Sequence, residues 1–414
     1  MKQVTAVLVG AGQRGVEAYA SYALNYPNEL KFVAVAEPRE DRREDFRKQH
    51  NIPLENCFSD WKELLSKPKM ADCILICTQD TMHYEPVKEA FEKEYHILCE
   101  KPMSPNKEEL IEIGYLAEQS DKVLSICHVL RYSPFFTKIK DIIDKGMIGK
   151  LATIQHIESI GYWHMAHSFV RGNWRNKELS SPIILQKCCH DMDIITWLVG
   201  SRCKSVSSYG NLLHFTKDNA PKDAPKYCMD GCSERDNCPF FAPRFYLEHP
   251  KAYTDGFAKV VSLDTSRQGI LKELEKGPYG RCVYHCDNDV VDNQVVNLQY
   301  ENGVTVSFTM CAFSNKCERI INIMGTKGQI RGNMEENTIE VVDFVTGSTT
   351  KIELHVPATG HSGSDVSMMK DFVSLVALDG NNECKSSALE AIQSHLIALA
   401  AEESRLYKGK VIKL

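Results

Sequence analysis

An apolar run near the start of the chain leads directly into three closely spaced glycines. Val4–Val9 is almost entirely apolar, and Gly10, Gly12 and Gly15 follow it with the spacing Gly-x-Gly-x-x-Gly. Where a buried strand turns into a helix, such glycines allow a tight turn, close approach of the backbone to a pyrophosphate, and close packing of helix on strand. The free amide groups of the first helical turn then face the phosphates. The pattern predicts a dinucleotide site with cofactor-binding residues Gly10, Gly12, Gln13, Arg14 and Gly15.

Strand and helix patterns alternate through the first third of the chain and change afterwards. Apolar strands are predicted at Val4–Val9, Leu30–Ala36, Asp72–Cys77, Tyr95–Cys99 and Val123–Cys127. Helical patterns separate these strands, which favours a parallel sheet with right-handed crossovers. We therefore predict an α/β Rossmann domain in residues 1–128. Alternating strands and a few helices then predict an α+β domain with a large, mostly antiparallel open sheet in residues 129–414, with a Cys-rich loop inserted at about 214–290.

Charge and hydropathy exclude several classes of partner. The net charge of −6 over 414 residues gives no electrostatic reason to bind nucleic acid or an anionic membrane. No apolar run approaches the ~20 residues that cross a bilayer. The first residues lack the pattern of a signal peptide, so we expect a cytoplasmic protein. An open antiparallel sheet is commonly covered by a partner subunit, so we also expect a homo-oligomer, either dimer or tetramer.

An acidic residue after the second strand bears on the choice of cofactor. Glu37 lies 22 residues beyond Gly15, where a carboxylate hydrogen-bonds the ribose hydroxyls and repels a 2′-phosphate. This favours NAD. Arg39 lies two residues further on and could bind a phosphate instead, so NADP stays open as the alternative.

Four further motifs together resemble one family, the Gfo/Idh/MocA oxidoreductases. Cys99-Glu100-Lys101-Pro102 is similar to its Glu-Lys-Pro signature, and Thr78-Gln79-Asp80-Thr81-Met82-His83 to the loop that lines the cofactor riboses. Arg131-Tyr132-Ser133-Pro134 resembles the segment that joins its two domains, and Cys189-His190-Asp191-Met192-Asp193 a helix with a catalytic histidine. The resemblance implies NAD or NADP as cofactor and a sugar or cyclitol as substrate. It also implies a cofactor role for Thr78, Asp80, His83, Glu100 and Lys101, and a substrate contact for Arg131.

Two residues are the candidate catalytic groups. A lysine at the end of a strand that faces the cofactor can steer a substrate hydroxyl and stabilise developing negative charge, so Lys101 is the first. His190 is the second, as general base or proton relay. The family's dehydrogenases carry an aspartate four residues before this histidine, whereas this chain has Gln186. A neutral amide cannot balance the charge of an imidazolium, so either Lys187 acts as a second cation near the substrate or it only pairs with an acid.

A segment rich in aromatic and basic residues follows the first strand of the second domain. Residues 161–175 contain His164, His167 and Arg171 together with tryptophan and tyrosine. Aromatic rings stack on sugar faces, and histidine and arginine bind hydroxyls or carboxylates. We interpret these three residues as substrate contacts, with a dimer surface as the alternative. No neighbouring acid completes a ligand set around the two histidines, so no catalytic metal is predicted.

The cysteines of the inserted loop are grouped. Cys228, Cys232 and Cys238 are followed later by Cys282 and Cys286. In a reducing compartment, such grouping favours a structural metal over disulfides, and zinc could tie down a long loop. The spacings match no standard zinc finger, so packed or exposed thiols are the alternative.

Three functions are compatible with these features. The first is an NAD(P)-dependent dehydrogenase that acts on the CH–OH group of a sugar or cyclitol. The second is a glycoside hydrolase that keeps NAD bound and oxidises its sugar transiently, which Gln186 makes a serious alternative. The third is a sensor that binds NAD and sugar without catalysis, against which Lys101 and His190 argue.

Overall fold

The first of two sheets is parallel and contains six strands. The structure, a computed structural model, describes residues 2–356 and 363–414. The strand order is β3-β2-β1-β4-β5-β6, and every neighbouring pair is parallel. The strands are β1 (Val4–Val9), β2 (Leu30–Ala36), β3 (Cys57–Phe58), β4 (Cys73–Ile76), β5 (His96–Cys99) and β6 (Leu124–Ile126). This confirms the predicted Rossmann-type sheet. The two-residue β3 is too short to have been recognised from its sequence.

Helices connect these strands, and α3 and α5 begin at a side-chain cap. They are α1 (Ser21–Asn25), α2 (Glu40–His50), α3 (Trp61–Ser66), α4 (Tyr84–Glu92) and α5 (Lys107–Gln119). The side-chain oxygen of Asn106 accepts hydrogen bonds from the amides of Glu108 and Glu109 at the start of α5, satisfying two donors that lack a partner in the helix. A π-helical turn, Arg14–Ala20, precedes α1 directly after the glycines.

The second sheet contains nine strands and is mostly antiparallel. Its order is β14-β13-β12-β11-β7-β10-β9-β8-β15, and only the central pair of β7 and β10 is parallel. The strands are β7 (Leu151–Gly161), β8 (Cys203–Asn211), β9 (Asn293–Tyr300), β10 (Thr305–Ser314), β11 (Glu318–Gly325), β12 (Gly328–Asn333), β13 (Thr338–Asp343), β14 (Thr349–Glu353) and β15 (Ile412–Lys413). The large, mostly antiparallel open sheet predicted from the sequence is therefore confirmed.

The remaining helices lie against this sheet, within the insertion, or near the end of the chain. They are α6 (Pro134–Asp144), α7 (Tyr162–His164), α8 (Ile183–Gln186), α9 (Cys189–Val199), α10 (Ala242–Glu248), α11 (Pro250–Thr254), α12 (Phe257–Val261), α13 (Arg267–Lys276), α14 (Ser364–Ala377) and α15 (Ala388–Leu406). Helix α15 packs on α9 and β8 and so covers one face of the sheet. Among the helices of residues 2–356 and 363–414, none has the combined length and apolarity needed to span a membrane.

Helix α14 and the start of α15 return to the first sheet. Met368, Met369 and Phe372 are fully buried in one core with Leu8 and Phe32 of the parallel sheet. On the other side of that sheet, the first turn of α15 enters the core that contains the inner face of α5. The apolar core around the nucleotide-binding sheet is thus completed by residues far from it in sequence.

The insertion between β8 and β9 is largely helical and has a small core of its own. Tyr246, Ile270 and Leu274 are buried there, next to Trp163 from the segment after β7. Arg171 fastens this unit to the rest of the protein. Its Nε donates to the carbonyl oxygen of Arg281 (2.7 Å) and its Nη2 to that of Phe240 (2.7 Å).

The cysteines of the insertion do not form the predicted zinc site. All five are free thiols, of which Cys228 and Cys282 are buried and Cys232, Cys238 and Cys286 partly exposed. Within the part of the chain that the structure describes, no three histidine, cysteine or acidic side chains come together in a way that could hold a metal ion. The zinc expectation is therefore not supported. The order of the insertion comes instead from its helical core and from Arg171.

Candidate active site

A cleft of about 2180 Å³ runs between the two sheets and the insertion. Residues 11–14 of the glycine turn lie at one end of it, and residues 250–257 of the insertion form part of a side. Glu158, Lys187 and Arg319, from the second sheet and its helices, line the opposite end. The cleft therefore connects the predicted phosphate site with a polar region large enough for a small substrate.

The glycine turn has the shape that a dinucleotide needs. Gly10 has a φ of +91°, and a Cβ on it would lie 2.6 Å from the carbonyl oxygen of Cys77. A Cβ on Gly15 would lie 2.5 Å from the carbonyl oxygen of Gly10, so both positions require glycine. Gly12 faces open space, with no atom within 4 Å of where its Cβ would be. The backbone at Gly12 can thus approach a pyrophosphate, and these residues fit NAD.

Glu37 lies beside the turn, as the sequence predicts. Its carboxylate is buried and accepts hydrogen bonds from the amides of Ala11 (2.8 Å) and Arg39 (3.0 Å). The Arg39 side chain, which could have bound a 2′-phosphate, forms a two-point ion pair with Asp41 instead. A carboxylate is therefore held at the end of β2, and Arg39, the cation that the sequence offered, is paired with Asp41, while Arg43 donates to the backbone carbonyl oxygen of Glu37 and lines the cleft.

Arg14 and Glu100 form an internal ion pair beneath the turn. Arg14 Nε lies 2.9 Å from Glu100 Oε1, and its Nη2 lies 2.9 Å from Asp365 Oδ1. Burial opposes ionisation of Glu100, but Arg14, Lys101 and a hydrogen bond from Tyr19 outweigh it and lower the pKa of the carboxyl group. Both residues were predicted to bind cofactor. The structure shows their side chains linking the glycine turn, β5 and α14.

The loop after β4 is tied to its surroundings by Asp80 and His83. Asp80 is buried and accepts hydrogen bonds from the indole of Trp174 (3.1 Å) and the hydroxyls of Ser180 (2.8 Å) and Ser181 (2.7 Å). The ring nitrogens of His83 lie 2.6 Å from the carbonyl oxygen of Pro102 and 3.1 Å from that of Thr78. Asp80 thus joins this loop to the segment before α8, and His83 joins it to the segment that contains Lys101.

The two catalytic candidates contact neighbouring elements, α8 and the segment after β6. Lys101 Nζ donates to the carbonyl oxygen of Gln186 (2.8 Å), the last residue of α8. His190 lies in the first turn of α9, and its ring is 5.8 Å from that of buried His128, just beyond β6. Neither side chain is part of the cleft lining, but Lys187, next to Gln186, is. Lys101 is thus held against the end of α8, and His190 lies in the next helix along the chain, beside His128.

A buried charged network, missed by the sequence analysis, lies beside His190. Arg319 Nε is 2.8 Å from Asp191 Oδ1 and 3.0 Å from Glu158 Oε2. His156 Nε2 also lies 2.8 Å from Asp191 Oδ1, and Lys187 Nζ is 3.0 Å from Glu158 Oε1. Burial opposes the charge on Lys187, but Glu158 outweighs it and raises the pKa of the ammonium group. The sequence alternative in which Lys187 pairs with an acid is what the structure shows, at the edge of the cleft.

Three of the predicted substrate contacts are used by the protein itself. Arg131 forms a two-point ion pair with Asp193, both distances 2.8 Å, and contacts Glu390. Arg171 is buried under the insertion, and His167 is buried with its Nδ1 2.6 Å from the Tyr246 hydroxyl. None of these three side chains lines the cleft. Of the three residues named in the aromatic segment, only His164 lines it.

Three buried histidines predict loss of stability on mild acidification. Burial lowers the pKa of His167 and His395 to about 3 and that of His128 well below its ordinary value. The hydrogen bonds of His395 also use both of its ring nitrogens. Nε2 accepts from the Met103 amide (3.0 Å), and Nδ1 donates to the carbonyl oxygen of Ala391 (2.8 Å). The unfolded chain binds these protons below about pH 6.5, so the free energy of unfolding should fall as pH decreases from there.

Urea unfolding at several pH values between neutral and mildly acidic measures this slope. Each histidine should contribute up to about 1.4 kcal/mol per pH unit below its unfolded pKa. In the variant His395→Gln, the free energy of unfolding should therefore change less steeply with pH, by the contribution of one proton, or about 1.4 kcal/mol per pH unit. An unchanged slope in that variant would contradict the assignment.

Comparison with known proteins places this geometry in a family. A family model described as an oxidoreductase family with an NAD-binding Rossmann fold matches residues 4–128, and one described as the C-terminal alpha/beta domain of that family matches residues 140–405. The chain belongs to the Gfo/Idh/MocA oxidoreductase family. The resemblance found in the sequence motifs is thereby confirmed.

Individual Gfo/Idh/MocA relatives are distant. The oxidoreductase YteT of Bacillus subtilis is 25% identical over 323 residues, which cover 74% of this chain and 72% of that protein. The myo-inositol 2-dehydrogenase of Thermotoga maritima is 26% identical over 180 residues, which cover 44% of this chain and 51% of the relative. A solved structure of levoglucosan dehydrogenase with NADH and levoglucosan has a TM-score of 0.72 at 18% identity and covers 99% of both chains. That structural similarity establishes the shared fold.

Gln186 is where this chain departs from the Gfo/Idh/MocA dehydrogenase pattern. Its side-chain amide donates to the carbonyl oxygens of Trp174 (2.9 Å) and Ser181 (2.9 Å), and its Oε1 accepts from the Ser180 hydroxyl (3.3 Å). The amide thus holds the loop that also surrounds Asp80. The side chain works as a scaffold, and its backbone carbonyl is the group that orients Lys101.

Proposed function

We propose that the protein is an NAD-dependent dehydrogenase that oxidises a secondary alcohol of a sugar or cyclitol. The observation that carries this proposal is the Lys101 ammonium group, held by the carbonyl oxygen of Gln186 four residues before His190, near a cleft that begins at a complete dinucleotide turn. An oxidised nicotinamide, when bound, supplies the hydride acceptor. The chain's own residues must then bind and orient the substrate hydroxyl and remove its proton.

Lys101 and His190 have different roles in this reaction. The Lys101 ammonium group is held by the carbonyl oxygen of Gln186 and can donate to the substrate oxygen, stabilising negative charge as its proton departs. An imidazole nitrogen of His190 then accepts that proton. Glu158 and Lys187, at the edge of the cleft, offer paired acceptor and donor groups that suit the neighbouring hydroxyls of a polyol.

The comparisons support this substrate class. The Thermotoga relative is named for action on myo-inositol, and the solved levoglucosan dehydrogenase contains NADH with a sugar. The glycoside hydrolase alternative gains no support from either. Since Gln186 is a scaffold residue in this structure, its presence no longer favours that alternative.

One experiment separates the three functions. The purified protein is incubated with NAD and a panel of free sugars, cyclitols and aryl glycosides, while reduced nicotinamide and released aglycone are both followed. Net formation of NADH with a free sugar or cyclitol is the expected result. Aglycone release without net NADH would establish the hydrolase, and binding without either product would establish the sensor.

Glu37 predicts a preference for NAD over NADP. Because its buried carboxylate faces the turn and Arg39 is paired with Asp41, a 2′-phosphate would be repelled by Glu37 without Arg39 to bind it. We expect kcat/KM to favour NAD by about a hundredfold, and Glu37→Ser to reduce that ratio by about tenfold or more. Glu55→Ser, which removes an exposed carboxylate outside the cleft, is the matched control. Equal use of both cofactors by the unmodified protein would refute the preference.

A further inference from the structure

The insertion reaches across the cleft and contacts the glycine turn directly. Gln13 Nε2 donates to the carbonyl oxygen of Asp255 (3.0 Å), and Lys259 Nζ lies 3.1 Å from Glu17 Oε1. Gln13 and Glu17 are one helical turn apart, immediately after Gly12. Two independent contacts therefore join the start of the nucleotide-binding helix to a segment about 240 residues away in the chain.

The local backbone of the insertion is shaped for this approach. Gly256 has a φ of +75° and lies between α11 and α12. A Cβ at this position would collide with the side chain of Gln13 and approach Glu17. Glycine at position 256 thus permits the left-handed backbone of this turn and leaves room for the Gln13 side chain, which a Cβ would displace.

The other side of this segment is anchored near the substrate region. Phe257 follows Gly256, and its ring centroid lies 4.4 Å from that of His167 and 5.4 Å from that of His164. Trp163 packs on the same ring at 5.8 Å. A single stretch of chain therefore spans from the phosphate turn to the aromatic segment that lines the far part of the cleft.

We propose that residues 250–263, here called the clamp, form a second wall of the dinucleotide site and slow the release of NAD. The proposal rests on the proposed function, since it assumes that NAD occupies the cleft. A ligand enclosed between the turn and the clamp leaves only when the contacts of Gln13 and Lys259 break. Because an exposed ion pair and one hydrogen bond are individually weak, the clamp retards exchange without preventing it.

Charge reversal across the clamp tests this directly. The dissociation rate constant of NADH is measured by displacement in a stopped-flow fluorimeter for the full chain. Lys259→Glu places two carboxylates together and should raise the rate about fivefold, whereas Glu17→Lys combined with Lys259→Glu should restore it to within twofold. Lys272→Glu, on an exposed part of the same insertion, reverses a charge without contact to the turn and should leave the rate unchanged.

A second variant tests the clamp without changing the ion pair between Lys259 and Glu17. Gly256→Val should push the clamp away from Gln13 and raise the rate more than Lys259→Glu does, with thermal unfolding used to confirm that each variant is folded. Unchanged release in both Lys259→Glu and Gly256→Val would overturn the proposal, as would faster release that the double charge swap does not reverse. Failure of the unmodified protein to bind NADH at all would instead overturn the proposed function.

Discussion

Replacing Lys101 by alanine is expected to lower kcat by about a thousandfold while NAD affinity changes by no more than about threefold. The ammonium group is the cation oriented at the end of β5. Its loss removes the hydrogen bond to the substrate oxygen and the positive charge that stabilises this oxygen as its proton leaves. NAD affinity should persist because the glycine turn and Glu37 remain intact. Steady-state kinetics with the best substrate of the panel and NAD titration by fluorescence measure the two effects.

The matched control for this change is Lys107→Ala. Lys107 is exposed at the start of α5, shortly after Lys101 in sequence, and lies outside the cleft lining. Its removal should leave kcat unchanged. If Lys101→Ala retained full turnover, the catalytic assignment would be wrong. If it lost NAD binding together with activity, Lys101 would have to be regarded as a cofactor ligand instead.

The second large effect is expected for Arg131→Met, and it concerns stability. Arg131 and Asp193 are both buried, and their two-point ion pair is supplemented by a hydrogen bond from Arg131 Nη1 to the carbonyl oxygen of Lys385 (2.8 Å). Removing one partner leaves a buried charge without compensation, which typically costs about 3–5 kcal/mol. Urea unfolding near neutral pH should show a loss of this size.

Arg39→Met provides the comparison for that measurement. Its ion pair with Asp41 is about half exposed, so its loss should cost less than about 1 kcal/mol. For Arg131→Met, the KM for substrate, measured where the variant is folded, should stay within twofold of the unmodified value. A stable variant with a much raised KM would restore Arg131 as a substrate ligand.

Much of the fold follows from local patterns in the sequence. The strands of the first sheet are short apolar runs between helices, and β1 and β2 lie where those patterns place them. The hairpin of β9 and β10 likewise forms around Gly303, which has a φ of +88°. These features depend on neighbouring residues alone. The helical character of the insertion was not predicted, since its short helices gain their stability from packing on one another and on Trp163.

The candidate site was predictable only in part. Gly10, Gly12, Gly15 and Glu37 lie in one strand-turn-helix unit and its neighbour, so their spacing is sufficient to place them. The role of Arg131 could not be assigned from sequence. An arginine that binds substrate and one in a buried ion pair give the same sequence signal, and only the structure shows that Asp193 is its partner. The same holds for the network around Arg319, whose members come from β7, the turn between α8 and α9, α9 and β11. The alternation of β7, which puts His156 and Glu158 on its buried face, was the one available signal.

The packing of α14 and α15 against the first sheet has a consequence for how the protein is made. A ribosome has completed β6 long before it reaches Ser364, so the face that contains Leu8 and Phe32 is at first covered by the earlier helices alone and lacks Met368, Met369 and Phe372. Helix α14 also brings Asp365, the partner of Arg14 below the glycine turn. The core on this face of the nucleotide-binding sheet is therefore completed only when α14 has been synthesised. Until then part of its apolar surface is exposed, and such surface makes a folding intermediate prone to aggregation.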